Sequence, residues 1–369
     1  MLSPLDDYPV HQVAEVMRHP GTSDRHFYDR YYFNCHPCSD DLFLIFGMGQ
    51  YPNLGVVDAF VVVLHNGQHR VVRASKELGA DRMDTTVGPL RVEVLEGLKR
   101  LRIICEPNEW DLACDLTFEA AVPAFEEKRH YQRRLERVFF DTMRLAQTGT
   151  WSGSIDLPGE HIDVTPDHWW GNRDRSWGVR PVGEPEPPGI QAAKMPAGMF
   201  WNYAPMQFPD FAIMYILQEE SDGTRVLEDA VRVWPESTGR PPENLGVPRH
   251  EIEWVPGTRL AKRATLRFTE PNGKPLDVHV EVMLPLHLGL GSGYGREPDW
   301  AHGMYQGPLK VQGLSWDMND PATTVPQFSI VENLSRFETG EHVGYGLFEL
   351  MCIGPHEQYG FRGWDDMAG

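Results

Sequence analysis

Apolar positions fall in short runs rich in Val, Ile, Phe, Tyr and Trp, broken by Gly, Pro or Asn about every ten residues, which is the pattern of an all-β sandwich or barrel. The clearest hairpin is DAFVVVLHNGQHRVVRAS (58–75), where Asn66-Gly67 supplies the two positive φ angles of a type I′ turn between β-branched runs. LRVEVLEGLKRLRIICE (90–106) reads as a second hairpin. In DLACDLTFEA (111–120), alternation puts Leu112, Cys114, Leu116 and Phe118 on one buried face. Only Glu126 to Met143 has helical spacing, with Tyr131, Leu135, Val138 and Phe139 recurring every three to four residues, and it predicts a single surface helix.

PVGEPEPPG (181–189) holds four prolines and two glycines, which deny both helix continuation and ladder pairing, so it reads as a linker. Beyond it the strand pattern resumes, with turns at Asp222-Gly223 and Asn272-Gly273. The expectation is two similar antiparallel β-barrels in tandem, spanning 1–185 and 186–369, with few helices.

Composition narrows the function classes. A chain of 369 residues with 41% hydrophobic positions buries a sizeable core, and no run of about 18 uncharged apolar residues exists to span a bilayer. With Lys plus Arg at 34 against Asp plus Glu at 53, the net charge of −19 repels nucleic acid. The same charge disfavours acidic small molecules globally, although a local arginine could still bind one. The richest basic stretch, Lys128 to Arg144, is interleaved with acids and reads as a solvated, salt-bridged face. The N-terminus lacks the basic start and apolar core of a secretory signal, and five cysteines make no disulfide framework, so a cytoplasmic location is expected. Cys35-His-Pro-Cys38 has redox-like spacing, but a strand-like run follows it where a helix is needed, and buried thiols are the expectation.

Little of the usual chemistry has a motif. GLGSGYG (289–295) is followed by Arg-Glu-Pro-Asp-Trp, not by a helix whose amides could meet a phosphate, so its glycines read as a tight turn at a barrel rim. No GxxxxGK[ST] or G-x-S-x-G segment exists, and the histidines show no metal-ligand spacing; neither cofactor nor metal is expected.

DHWWGNRDRSWGVR (167–180) stands apart because Trp169, Trp170 and Trp177 crowd against Arg173, Asp174 and Arg175. On extended backbone, Trp170, Asn172, Asp174 and Ser176 share one face, with Arg173, Arg175 and Trp177 on the other. Two readings compete. Trp177 with Arg180 matches the cation–π lock with which small ligand-binding barrels close one end, a device contributing about 0.5 to 2 kcal/mol. An inward Asp174 in an aromatic cavity is either paired with arginine or held protonated, and the protonated form is a general acid.

The segment Asp174-Arg-Ser-Trp-Gly178 with its following arginine, together with DWAHGMYQG (299–307) and GYGLFEL…GPHEQYGF (344–361), resembles the AttH-like and carotenoid-hydratase (hydroxyneurosporene synthase) lipocalin superfamily, in its bacterial two-domain branch. The resemblance runs in scattered motifs from about residue 25 onward and implies two lipocalin-like barrels. Members include hydratases of acyclic carotenoids and prenylated isoflavonoids, and ring-closing cyclases. Their proposed proton donor, an aspartate in a D-x-N-W-G segment, corresponds to Asp174; Ser176 replaces the asparagine, and Asn172 stands where a tyrosine is expected.

The resulting expectation is a cofactor-independent hydratase or hydro-lyase acting on an alkene of a terpenoid, steroid-like or aromatic small molecule in a cavity where the barrels meet. Asp174 would donate the proton, with His168 or His302 orienting water. Trp170, Asn172, Arg173, Trp177, Trp201, Tyr203 and Tyr305 are the candidate substrate contacts. An isomerase or cyclase in which the cavity only shapes the substrate, and a non-catalytic carrier of apolar ligands, remain alternatives.

Overall fold

The computed structural model describes residues 1–134, 136–186, 198–295, 297–325 and 330–369. Among them no helix reaches seven residues, and the chain is built from antiparallel strands forming one nearly closed barrel and one half-barrel. The first sheet contains β1 (Phe27–Cys35), β2 (Leu42–Tyr51), β3 (Val56–His65), β4 (Gln68–Glu77), β5 (Thr86–Val87), β6 (Leu90–Glu96), β7 (Arg100–Cys105), β8 (Ala113–Ala120), β9 (Phe125–Glu126), β10 (His130–Arg134), β11 (Arg137–Leu157), β12 (Glu160–Val164) and β13 (Trp170–Val179). The second contains β14 (Met199–Gln207), β15 (Ala212–Glu220), β16 (Arg225–Val233), β17 (Glu243–Asn244), β18 (Arg249–Trp254), β19 (Ala261–Thr269) and β20 (Pro275–His287). Next in the chain, β21 (Leu309–Asp317) crosses back to pair with β4 of the first sheet, before β22 (Val331–Thr339) and β23 (His342–Ile353) complete the second.

The strong turn signals hold. β3 and β4 pair from His65↔Gln68 outward, with Asn66 and Gly67 at φ 51° and 72°. The hairpin at 90–106 is β6–β7, and Leu112, Cys114, Leu116 and Phe118 are all buried. Of the proline-rich stretch at 181–189, residues 187–189 lie outside the described residues.

The helix expected over 126–143 is absent, and strands stand in its place. β10 and β11 form a hairpin with Arg134 opposite Arg137, so the three-to-four spacing was the sum of two strands. Val138, Phe139 and Phe140 suit a pleated surface better than a helix, where β-branched and aromatic side chains lose rotamer freedom.

Three apolar layers result. One fills the closed barrel around Phe33, Phe46 and Trp151, and another fills the half-barrel around Phe200, Tyr215 and Phe348. The third lies between the sheets and draws on both, with Ile45 and Phe60 meeting Met214, Ile216 and Leu334. Every residue of β2 is buried because both of its faces are covered, which is why LFLIF reads as a continuous apolar run instead of alternating.

Candidate active site

Alternation along β13 sorts the tryptophan-rich segment onto two faces. Arg173 enters the closed barrel, donating from Nε to Gln147 Oε1 (2.8 Å) with its guanidinium 5.8 Å from the centroid of the Phe118 ring. Burial there lowers its pKa to about 10. Asp174 and Ser176 face the second sheet and line a cavity of about 190 Å³ between the two sheets.

The register of β1, β13 and β11 places the groups of this wall. Tyr32, Asp174 and Ala146 form one cross-strand row, and Arg30, Ser176 and Arg144 form the next. Asp174 therefore has small Ala146 directly beside it, while both arginines are diagonal neighbours, about 7 to 8 Å away between strands. Each arginine is engaged elsewhere. Arg144 donates to Glu127 Oε2 (2.7 Å) and lies 4.4 Å over the Tyr203 ring. Arg30 donates to the Tyr51 hydroxyl and pairs with Asp58 (3.3 Å), across Gly47 and Gly49, where a Cβ would collide with its side chain.

Consequently Asp174 makes no side-chain hydrogen bond or ion pair among the described residues, although it is 9% exposed. Burial raises its pKa from 3.8 to about 6, opposed by the Arg144 charge and assisted by Glu349. Asp174 thus lines the cavity without an ion pair among the described residues, while the charges of Arg144, Arg180 and Arg30 all act to lower it.

The second sheet supplies the opposite wall. Glu332 on β22 pairs in register with Glu349 on β23, which in turn pairs with Tyr203 on β14. The Trp201 indole N–H donates to Glu349 Oε1. Glu332 is fully buried; Glu349 and the Tyr32 hydroxyl lie beside it, yet among the described residues neither of its oxygens has a partner in hydrogen-bond geometry. Burial, then the Glu349 charge, pushes the Glu332 carboxyl far above its ordinary value, and burial also raises Glu349. His130, stacked 4.9 Å from Phe140 on the cavity wall, is lowered to about 4 by burial and the Arg144 charge, so it is neutral.

Of the residues singled out from the sequence, Asp174 and Trp201 line the cavity, and Tyr203 is buried under Arg144 without lining it. The others do not. His168 is exposed in a turn, Tyr305 is 53% exposed and donates to Glu77, and Trp177 is 37% exposed. The expected Trp177–Arg180 lock is replaced by Arg180 over the Tyr28 ring at 4.5 Å. Trp170 packs edge-on against Tyr345, 6.1 Å between centroids, and Asn172 accepts from Asn34 Nδ2 (2.6 Å), so both are structural. His302 is buried against Phe60 and Tyr294, donates from Nε2 to the Ser292 carbonyl (3.1 Å), and is held neutral by burial and by Arg30 and Arg180; it braces Tyr294 and does not reach the cavity.

Sequence reasoning missed Glu127, Arg144, Glu332 and Glu349. The basic stretch containing Arg144 is solvated only in part: Arg129–Asp141 and Arg137–Glu186 are outer pairs, whereas Arg144–Glu127 turns inward, with Glu127 buried and Arg144 half-buried. The available signal was a glutamate set among apolar residues in each of two strands, after Ile330-Val331 for Glu332 and between Phe348 and Leu350 for Glu349.

The chemistry concentrates here and not at the C-terminal depression lined by Trp254, Tyr359 and Phe361. Near that depression Glu219 is the buried carboxyl; burial alone would raise it, but His250, His356 and Arg225 hold it at about 2, so it has no proton to give. Among the described residues no three His, Cys, Asp or Glu side chains converge as metal ligands.

Comparison of the fold finds an AttH-like protein (NE1406) of Nitrosomonas europaea, at 15% identity over 95% of this chain and 99% of that one, with a TM-score of 0.53. Kievitone hydratase from Nectria haematococca is similar at 13% identity, 91% and 90% coverage and a TM-score of 0.51. CghA is similar at 8% identity, 90% and 89% coverage and a TM-score of 0.51. These likenesses establish the lipocalin-like fold shared with that group. No curated protein sequence matches. Residues 2–362 match the family described as "Family of unknown function (DUF8625)", and the chain belongs to that family.

Proposed function

We propose that the chain is a cofactor-independent hydratase that adds water across an alkene of a hydrophobic small molecule, with Asp174 as the general acid. The observation that carries this reading is the Asp174 carboxyl, unpaired and open to an aromatic-walled cavity, with its pKa raised to about 6. A carboxyl titrating close to neutrality is well matched to proton donation.

In the forward step the alkene π pair forms a C–H bond with the Asp174 proton, leaving a carbocation on the adjacent carbon. Trp201, Tyr32 and Phe140 line the cavity, and an aromatic face turned to such a cation stabilises it. Water adds its oxygen to the cation, and its surplus proton passes to Glu349, which the Trp201 indole holds in place. Proton return from Glu349 to Asp174 closes the cycle, since each lies within the other's electrostatic reach. Glu332, kept neutral, avoids a third negative charge in the cavity. The similarity in fold to kievitone hydratase supports the reaction class; the alkene is carried on a terpenoid, steroid-like or aromatic body.

The test is turnover of a panel of such alkenes in deuterium oxide and in oxygen-18 water. Hydration places one deuterium on carbon and one labelled oxygen in the product. A product carrying neither label identifies an isomerase or cyclase and removes Asp174 from its role.

A further inference from the structure

The cavity has a second pole that the hydration chemistry does not use. Arg180 follows β13 and lines the cavity together with Arg30, Tyr28 and Tyr294. Its guanidinium lies 4.5 Å over the Tyr28 ring and 5.9 Å from the Tyr294 centroid, while Arg30 lies 5.6 Å from the same Tyr294 ring. Two guanidiniums thus flank one phenol.

The hydrogen-bonded carboxylate at this pole is Asp58, and it is fully committed. Its Oδ1 takes Arg30 (3.3 Å) and the Tyr51 hydroxyl (3.2 Å), and its Oδ2 accepts from the Gly303 N–H (2.7 Å). Asp174 and Glu349 feel the Arg180 charge across the cavity but form no ion pair with it among the described residues. Arg180 has no ion pair and no side-chain hydrogen bond among the described residues. The remaining positions (135, 187–197, 296 and 326–329) contain neither Asp nor Glu, so none of them could neutralise it. His302 adds no negative charge, being neutral. In a chain of net charge −19, which has acidic groups to spare, a cation left unpaired inside a cavity is an arrangement with a use.

We infer that Arg180 is a substrate-anchoring residue that receives a carboxylate, so the ligand is an amphipathic organic acid whose apolar body lies along Trp201, Phe140 and Leu227 toward Asp174. The guanidinium fork matches a carboxylate bidentately, and Arg30, beside the same Tyr294 ring, reinforces the field. This inference deepens the hydratase reading by naming the substrate class for the same cavity, but its test does not require turnover.

Octanoate and octan-1-ol share a chain and differ in the anionic head, so calorimetric titration of both at neutral pH isolates the anchor. The wild-type chain is expected to bind octanoate about tenfold to a hundredfold more tightly than octan-1-ol. Arg180→Gln should abolish that preference while leaving octan-1-ol affinity unchanged, and Arg180→Lys should restore part of it. Circular dichroism melting of each variant accompanies the titrations, so that loss of fold is separated from loss of the anchor. Equal affinities in the wild type, binding of neither probe, or a preference that survives in Arg180→Gln overturns the inference. Asp174→Asn distinguishes the two proposals: a head-group preference retained in that variant without any alkene hydration by the wild type leaves the anchor standing and removes the hydratase, and the converse result removes the anchor alone.

Discussion

Glu332 and Glu349 face one another across adjacent strands of the second sheet, two carboxyls in direct cross-strand register at the wall of a buried cavity. Like charges directly opposite are destabilising, and both groups are desolvated, so the pair keeps a proton, held chiefly by Glu332. The unfolded chain releases that proton near the ordinary value of 4.5, whereas the folded chain retains it to much higher pH. Between those limits the folded state binds more protons, so stability falls as pH rises. Glu332→Gln removes this slope. Urea denaturation should show the variant more stable than the wild type by about 1 to 3 kcal/mol at neutral pH, with the gap closing toward pH of about 4.

Asp174 carries the same sign with a catalytic consequence. Its folded value of about 6 against an ordinary 3.8 means that ionisation at neutral pH costs stability of about 3 kcal/mol, an upper figure for a group that touches a cavity. Asp174→Asn should therefore raise the urea midpoint at neutral pH while lowering kcat for alkene hydration by about 10² to 10⁴. Opposite signs in the two measurements mark a group retained for chemistry. In the wild type, kcat should fall as pH rises through about 6, because the donor loses its proton.

Arg144 is the charge that most lowers Asp174, although its hydrogen bond goes to Glu127. Removing Arg144 alone would leave Glu127 buried and unpaired, so the useful variant is Arg144→Met with Glu127→Gln. Without the guanidinium the acid holds its proton longer, and the falling limb of kcat against pH should move upward by about one unit. A limb that stays in place would show that Asp174 does not set the profile.

The parts of this architecture written locally were legible. Asn66-Gly67 dictated its hairpin, and the alternation from Leu112 to Phe118 gave a half-buried strand, because turn chemistry and a two-residue period depend only on neighbours. Asp174 was singled out by its place in the D-x-S-W-G segment that carries the family resemblance, whereas alternation told only which neighbours share its face and not which face meets the cavity. Glu332 and Glu349 lie 17 positions apart in sequence, and their partner Tyr203 lies in another part of the chain. Their meeting depends on strand order and register, which a single strand does not encode. The false helix at 126–143 has a related cause: two strands joined by a tight hairpin produced an apparent helical period.

Backbone close packing behind β13 gives the last prediction. Gly171 sits three residues before Asp174, and a Cβ there would collide with the Asn34 carbonyl and come within 2.7 Å of Trp151 Nε1. That carbonyl accepts from the Trp151 indole (2.8 Å), and the Asn34 side chain accepts from the Asn172 N–H (2.9 Å) and donates to Asn172 Oδ1. One methyl group at Gly171 would therefore separate β13 from β1 at the point where Trp151 fills the closed barrel. Its neighbours are backbone and a fully buried indole, so relaxation is costly. Gly171→Ala should destabilise the chain by about 3 kcal/mol, read as a lower urea midpoint with an unchanged slope. Because the strain falls on the strand that aims Asp174, kcat should drop in the fraction that remains folded, whereas Gly97→Ala, at a turn where a Cβ meets nothing, should leave both stability and kcat as they are.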